Sequence, residues 1–196
     1  MGKPKHDTRE SWLNNAMVAL NKEFFAANGH ELPKKMRMSC GFPKAAGHRA
    51  IGQCFDTPVS ADETYEMFIC PTQAEPVRVL DIALHEMIHA CVGIEAGHKG
   101  PFRKMAKEFG LAGKMTATVA EEGSELHKRL SRIARSLGKY PHAAMKPKRM
   151  PKKPNPWVRY VSPQEETFKV VVNENRVEEF GPPRDPWGNE MEPVNG

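Results

Sequence analysis

The sequence predicts an α+β fold: helices packed on a small antiparallel sheet, followed by a small C-terminal β appendage. Three observations carry this. Apolar residues recur at helical spacing in four segments. Three short strand-like runs sit between the first two of them, separated by Gly, Pro and Asp. Alternation of apolar and polar residues returns after a proline-rich stretch. With 196 residues, 39% of them hydrophobic, the chain can build one ordinary domain plus appendages without disulfides.

Taken in order, Thr8 to Ala27 reads as a helix. Thr8 caps it, Trp12, Ala16, Leu20 and Phe24 form its apolar face, and Asn28-Gly29 ends it. Lys35 to Phe42, Arg49 to Phe55 and Thr64 to Cys70 are the strand candidates. A second helix runs from about Pro76 to Gly93, where Leu80, Ala83, Leu84, Met87, Ile88 and Cys91 make one continuous stripe. A third begins at Pro101 and reaches about Phe109. A fourth is expected from about Thr118 to Leu137, weakened at Gly123. The first domain is therefore drawn as residues 1–143. Residues 144–156, with four prolines among lysines, read as an extended basic linker. Residues 157–182 read as a small two- or three-stranded appendage, its strands drawn from Trp157–Val161, Phe168–Val172 and Val177–Phe180. The last residues, 183–196, read as a disordered tail.

Composition narrows the class. No N-terminal segment resembles a signal peptide and no apolar run approaches a membrane span, so a soluble cytoplasmic protein with no membrane partner is expected. Cys40, Cys54, Cys70 and Cys91 form no Cys-x-x-Cys pair and read as buried reduced thiols. The net charge of +5 is unevenly spread. No Asp or Glu occurs from Leu126 to Tyr160, whereas the segment beyond is acidic. Such a single-sign block points to a polyanionic partner.

The chemistry centres on His85-Glu86-Met87-Ile88-His89 in the second helix. Residues four apart share a helix face, so His85 and His89 can direct imidazole nitrogens at one ion. Both lie off the apolar stripe, on the side free to line a cleft. Glu86 projects beside them, within reach of water at that ion, as a catalytic carboxylate. Two neutral imidazoles suit zinc and leave positions open for water and substrate. His98 is the candidate third ligand, swung back by the turn Gly93-Ile94-Glu95-Ala96-Gly97.

His85-Glu86-Met87-Ile88-His89-Ala90 followed by Gly97-His98-Lys99-Gly100-Pro101-Phe102 resembles the SprT-like zinc metalloproteases, which include bacterial SprT proteins and the Spartan proteases that act on DNA–protein crosslinks. The likeness covers roughly Thr8 to Ala143. Lys99 is an insertion between the histidine and the Gly-Pro pair of the family pattern. Many members carry a cysteine zinc ribbon where Trp157–Phe180 lies, and here that stretch has no cysteine, so one zinc is expected rather than two. The resemblance implies a zincin-like fold and one catalytic zinc on His85, His89 and His98. It also implies hydrolysis of peptide bonds in proteins bound or crosslinked to DNA. The short chain would suit a phage-encoded or bacterial version.

Several roles stay open at this level. Tyr140, His127 and Arg78 are the candidates to stabilise the oxyanion. Asp81, one turn before His85, is a candidate to orient that ring. A strand bordering the cleft, with Thr64–Cys70 preferred, would align the substrate backbone. Lys128, Arg129, Arg132, Arg135, Lys146, Lys148, Arg149, Lys152 and Lys153 are the candidates for phosphate contact with single-stranded or non-specific DNA. Tyr140 and Trp157 are placed to stack on unpaired bases. The rival class is a non-catalytic DNA-binding protein retaining a structural zinc site. A hydrolase with a non-protein substrate is a third reading.

Overall fold

In the computed structural model, which describes residues 5–44, 50–147 and 155–194, the chain divides into two compact units, Met1–Pro147 and Lys148–Gly196. The first opens with Thr8, whose hydroxyl accepts the Ser11 N–H and caps α1 (Arg9–Leu20). The helix continues as a widened π turn over Asn21–Phe25 and a 3-10 turn over Ala26–Asn28. Phe24 and Phe25, adjacent in sequence, are both fully buried and both contact the Phe109 ring.

Three strands follow: β1 (Met36–Cys40), β2 (Gly52–Phe55) and β3 (Tyr65–Ile69). Their order is β1-β3-β2. β2 pairs antiparallel with β3, but β1 pairs parallel with it, so the expected antiparallel sheet is in fact mixed. The later strand, β3, lies between the two earlier ones and runs parallel to the first and antiparallel to the second. β3 is thus the central strand and β2 an edge. The strand candidate beginning at Arg49 starts outside the described residues.

α2 (Pro76–Val92) crosses this sheet. Glu75 caps it, its carboxylate accepting the N–H groups of Val77 and Arg78, and Gly93 ends it. Leu80, Ala83, Leu84, Met87 and Ile88 have no exposed surface and form the middle of the core. Each such aliphatic side chain removed from water is worth about 1.5–3 kcal/mol, so α2 is anchored along its whole length. α3 (Gly100–Phe109) follows, then a hairpin of β4 (Ala112–Lys114) and β5 (Ala117–Val119). α4 (Glu125–Leu137) starts only at Ser124, whose hydroxyl accepts the His127 N–H. The fourth helix is therefore shorter than expected. Thr118 belongs to a strand, and only that strand turns it inward.

The second unit is a three-stranded antiparallel sheet in the order β7-β6-β8, formed by β6 (Trp157–Val161), β7 (Lys169–Asn173) and β8 (Glu192–Val194). Two expectations change here. Val177–Phe180 lies in a short helix, α5 (Glu174–Phe180), capped by Asn173, and is not a strand. Residues expected as a disordered tail supply β8, which completes the sheet beside β6, and Arg184 bridges Glu190. Met191 and Tyr160 are buried, which gives that segment an apolar anchor. All four cysteines are free thiols, with Cys54 and Cys70 buried and Cys40 and Cys91 half-buried. Among the described residues no helix is long and apolar enough to cross a membrane.

Candidate metal centre

His85, Glu86 and His89 project from the face of α2 opposite the core stripe. The chain then reverses. Gly93 (φ 86°) and Gly97 (φ 51°) take conformations that side chains resist, and a 3-10 turn over Ile94–Ala96 lies between them. The reversal returns His98 to the helix, with Lys99 absorbed as the residue before α3. The Nε2 atom of His98 lies 3.2 Å from Nε2 of His85 and 3.2 Å from Nε2 of His89. The three ligand atoms all lie within 4.8 Å of one another and could hold a metal ion.

Phe102 supports all three rings. It is fully buried in α3, stacks on His89 at 4.3 Å between centroids, and meets His85 and His98 edge-on at 4.8 and 5.1 Å. On its outer side His85 is held by Thr118, whose Oγ1 lies 2.8 Å from Nδ1. Asp81 does not perform that role. It is buried and paired with Arg78, whose Nη1 also donates to the Thr118 carbonyl at 3.1 Å. Asp81 therefore steadies His85 at one remove, by fixing the strand that carries Thr118.

The electrostatics favour neutral rings. Burial, and then the proximity of His89, His98 and Arg78, pushes the His85 imidazolium down to about 3. Burial and His98 bring His89 to about 4, and burial lowers His98 as well. Three uncharged imidazoles then converge, and among the described residues none of them is paired with a carboxylate. Such a donor set fits a cation. His89 Nδ1 is buried without a partner among the described residues.

Glu86 lies deepest. Burial raises its carboxyl to about 8, while the backbone N–H of Cys54 on β2 draws it partly back. A cation at the imidazoles opposes that rise. The strand comes this close because residue 52 is glycine: a Cβ there would fall on Oε1 of Glu86 and within 2.5 Å of Ile82 Cγ2. Gly52, Cys54 and Thr118 are the site residues that sequence reasoning did not find. A glycine inside a strand-like run was the available signal for close backbone approach. Nothing in the sequence marks Thr118.

These groups line a cleft of about 590 Å³. Its floor is α2, with β2 and the β5 strand forming walls. Of the remaining expected residues, Arg78 lines the cleft, whereas Tyr140 and His127 do not. Tyr140 is buried edge-on against Trp12, which removes it both from the oxyanion and from any base. Arg129 is withdrawn too: it bonds the Glu23 carboxylate at 2.8 Å and lies 4.0 Å over the Phe24 ring. Lys128 pairs with Glu125, and Arg132 lies 3.7 Å from Glu23. Arg135 and Lys146 are exposed, as is Trp157. Lys148, Arg149, Lys152 and Lys153 lie outside the described residues. No protein-family model, curated protein or solved structure matches the chain.

Proposed function

We propose that this chain is a zinc-dependent peptidase. The observation that carries the reading is the convergence of three neutral imidazoles beside a buried carboxylate at the floor of an open cleft. Tetrahedral zinc with nitrogens at about 2.0–2.1 Å requires those nitrogens to stand about 3.3–3.4 Å apart, close to the 3.2 Å separations here. Bound zinc would supply Lewis acidity, making a water molecule more acidic and a carbonyl more electrophilic. His85, His89 and His98 hold the ion. Thr118 holds the His85 ring, and Phe102 packs against all three. Glu86 accepts the proton of the attacking water and delivers it to the departing amine.

The substrate backbone has a specific place to lie. β3, preferred for this role from sequence, has both of its edges occupied by β1 and β2. β2 is an edge strand and Gly52–Cys54 line the cleft, so an extended peptide adds there. A purely structural metal site has no use for Glu86, which disfavours the non-catalytic alternative. Action on DNA-bound proteins draws on the exposed Arg135 and Lys146 of the first unit. Arg129 takes no part in it, because its guanidinium is held by the Glu23 carboxylate and the Phe24 ring.

The test is proteolysis of a generic unfolded protein by zinc-loaded wild type and Glu86→Gln, each with and without single-stranded DNA. The substitution should lower turnover by about a thousandfold while zinc content stays at wild-type level. Equal inactivity of both proteins, with DNA bound by both, would make this a binding protein.

A further inference from the structure

The cleft contains a second polar feature that metal chemistry does not use. Among the described residues, Arg78 and Glu86 are the charged groups other than histidine in its lining. Arg78 precedes His85 by seven residues, two turns along the same face of α2. Its Nη1 is committed to Asp81 and the Thr118 carbonyl. Its Nε and Nη2 have no partner among the described residues, and the side chain is 29% exposed. One edge of the guanidinium is thus clamped and the other remains available. The neighbouring wall is apolar, with Ile82, Ile51 and Ala117, which strengthens a hydrogen bond made to that edge.

Distance decides what the free edge can meet. Arg78 Nη1 and His85 Nδ1 both meet Thr118, one at its carbonyl (3.1 Å) and the other at Oγ1 (2.8 Å), so the guanidinium stands within about 10 Å of the imidazole cluster, the axial span of seven helical residues. The same span equals about three residues of extended peptide. A planar fork of donors at that point matches a carboxylate. We propose that Arg78 forms an anion subsite in the cleft, selecting peptides with a carboxylate within about three residues of the bond cleaved. The inference rests on the peptidase reading above.

The experiment uses fluorogenic peptides of one sequence. A glutamate is walked through the positions on both sides of the cleaved bond, with glutamine as the matched control. A second pair ends at the same distance as free acid or as amide, which separates a side-chain from a terminal carboxylate. For zinc-loaded wild type, a preference on the order of tenfold is expected at one position, expressed in KM rather than kcat. Arg78→Gln combined with Asp81→Asn keeps the pair hydrogen-bonded without charge, and the preference should vanish. Arg78→Lys, charged but without the fork, should retain only part of it. Equal cleavage of every matched pair by wild type, or a preference that survives Arg78→Gln/Asp81→Asn, overturns the subsite. Anisotropy with the same peptides on Glu86→Gln protein separates the two readings. Selective, Arg78-dependent binding with no cleavage by wild type ends the peptidase reading and keeps the subsite. Indifferent binding ends the subsite.

Discussion

Asp185 in the second unit and His89 in the first are both buried, and they spend their hydrogen-bonding capacity in opposite ways. Each Asp185 oxygen is fully engaged. Oδ1 accepts the N–H groups of Trp187 and Asn189 at 3.0 and 2.8 Å, and Oδ2 accepts Ser162 Oγ and Asn189 Nδ2 at 2.7 and 3.1 Å. His89 has an unpartnered Nδ1, and its Nε2 faces another imidazole nitrogen. Burial of an unpaired polar atom costs about 1–3 kcal/mol, and native interiors rarely contain one without cause. A polar group whose bonds are all made within the chain ties structure together. His89 Nε2, set against Nε2 of His98, instead has a lone pair that a shared cation could satisfy.

That contrast can be broken most decisively at His98. Replacement by Ala should weaken zinc binding more than about a hundredfold in chelator competition, beyond the loss typical of an outer-shell partner. Wild-type affinity in that variant would leave the three-imidazole site without support. Next comes Gly52→Ala, whose Cβ would displace the Glu86 carboxylate. Peptide turnover should fall on the order of thirtyfold with zinc content unchanged, because misplaced catalytic groups cost rate rather than metal. Thr118→Val removes the partner of His85 Nδ1 and should reduce zinc affinity by about tenfold.

The smallest effect is expected at Asp185→Asn. Burial pushes the Asp185 carboxyl up, but the Ser162 hydroxyl, the Asn189 side chain and the Asn189 and Trp187 N–H groups outweigh it and hold it below its ordinary value. A depressed folded value means a contribution that is present above the unfolded value of about 3.9 and is lost as pH falls through the lower folded value. Acidification below about pH 4 should therefore lower the melting temperature of wild type more than that of Asp185→Asn. Zinc affinity should not change, and if it does, the two kinds of burial are not separable.

The parts of the fold that the sequence made legible are those governed by local geometry. α1 with its π and 3-10 continuation to Asn28, α2 and α3 begin and end close to where their caps, prolines and glycines place them. The sheet was legible as three strands but not in its order, because pairing depends on where a connection travels and not on alternation within a strand. The hairpin of β4 and β5 was not read at all, and the fourth helix was begun inside it at Thr118, since two three-residue strands are too short to show a period. The charge block misled in a similar way. Arg129 looks like its neighbours on α4, yet it pairs with Glu23, more than a hundred positions away.

For the site itself, sequence alone determined that His85 and His89 share a helix face beside Glu86, because a four-residue spacing on an α-helix permits little else. Tertiary structure decided which atoms complete that face: His98 folded back to it, Phe102 beneath it, Thr118 behind it, and Gly52 and Cys54 against Glu86. Helix period is set by bonds between near neighbours. Closure of the cleft is set by burial and hydrogen bonding between segments far apart in the chain, and no spacing of letters records those.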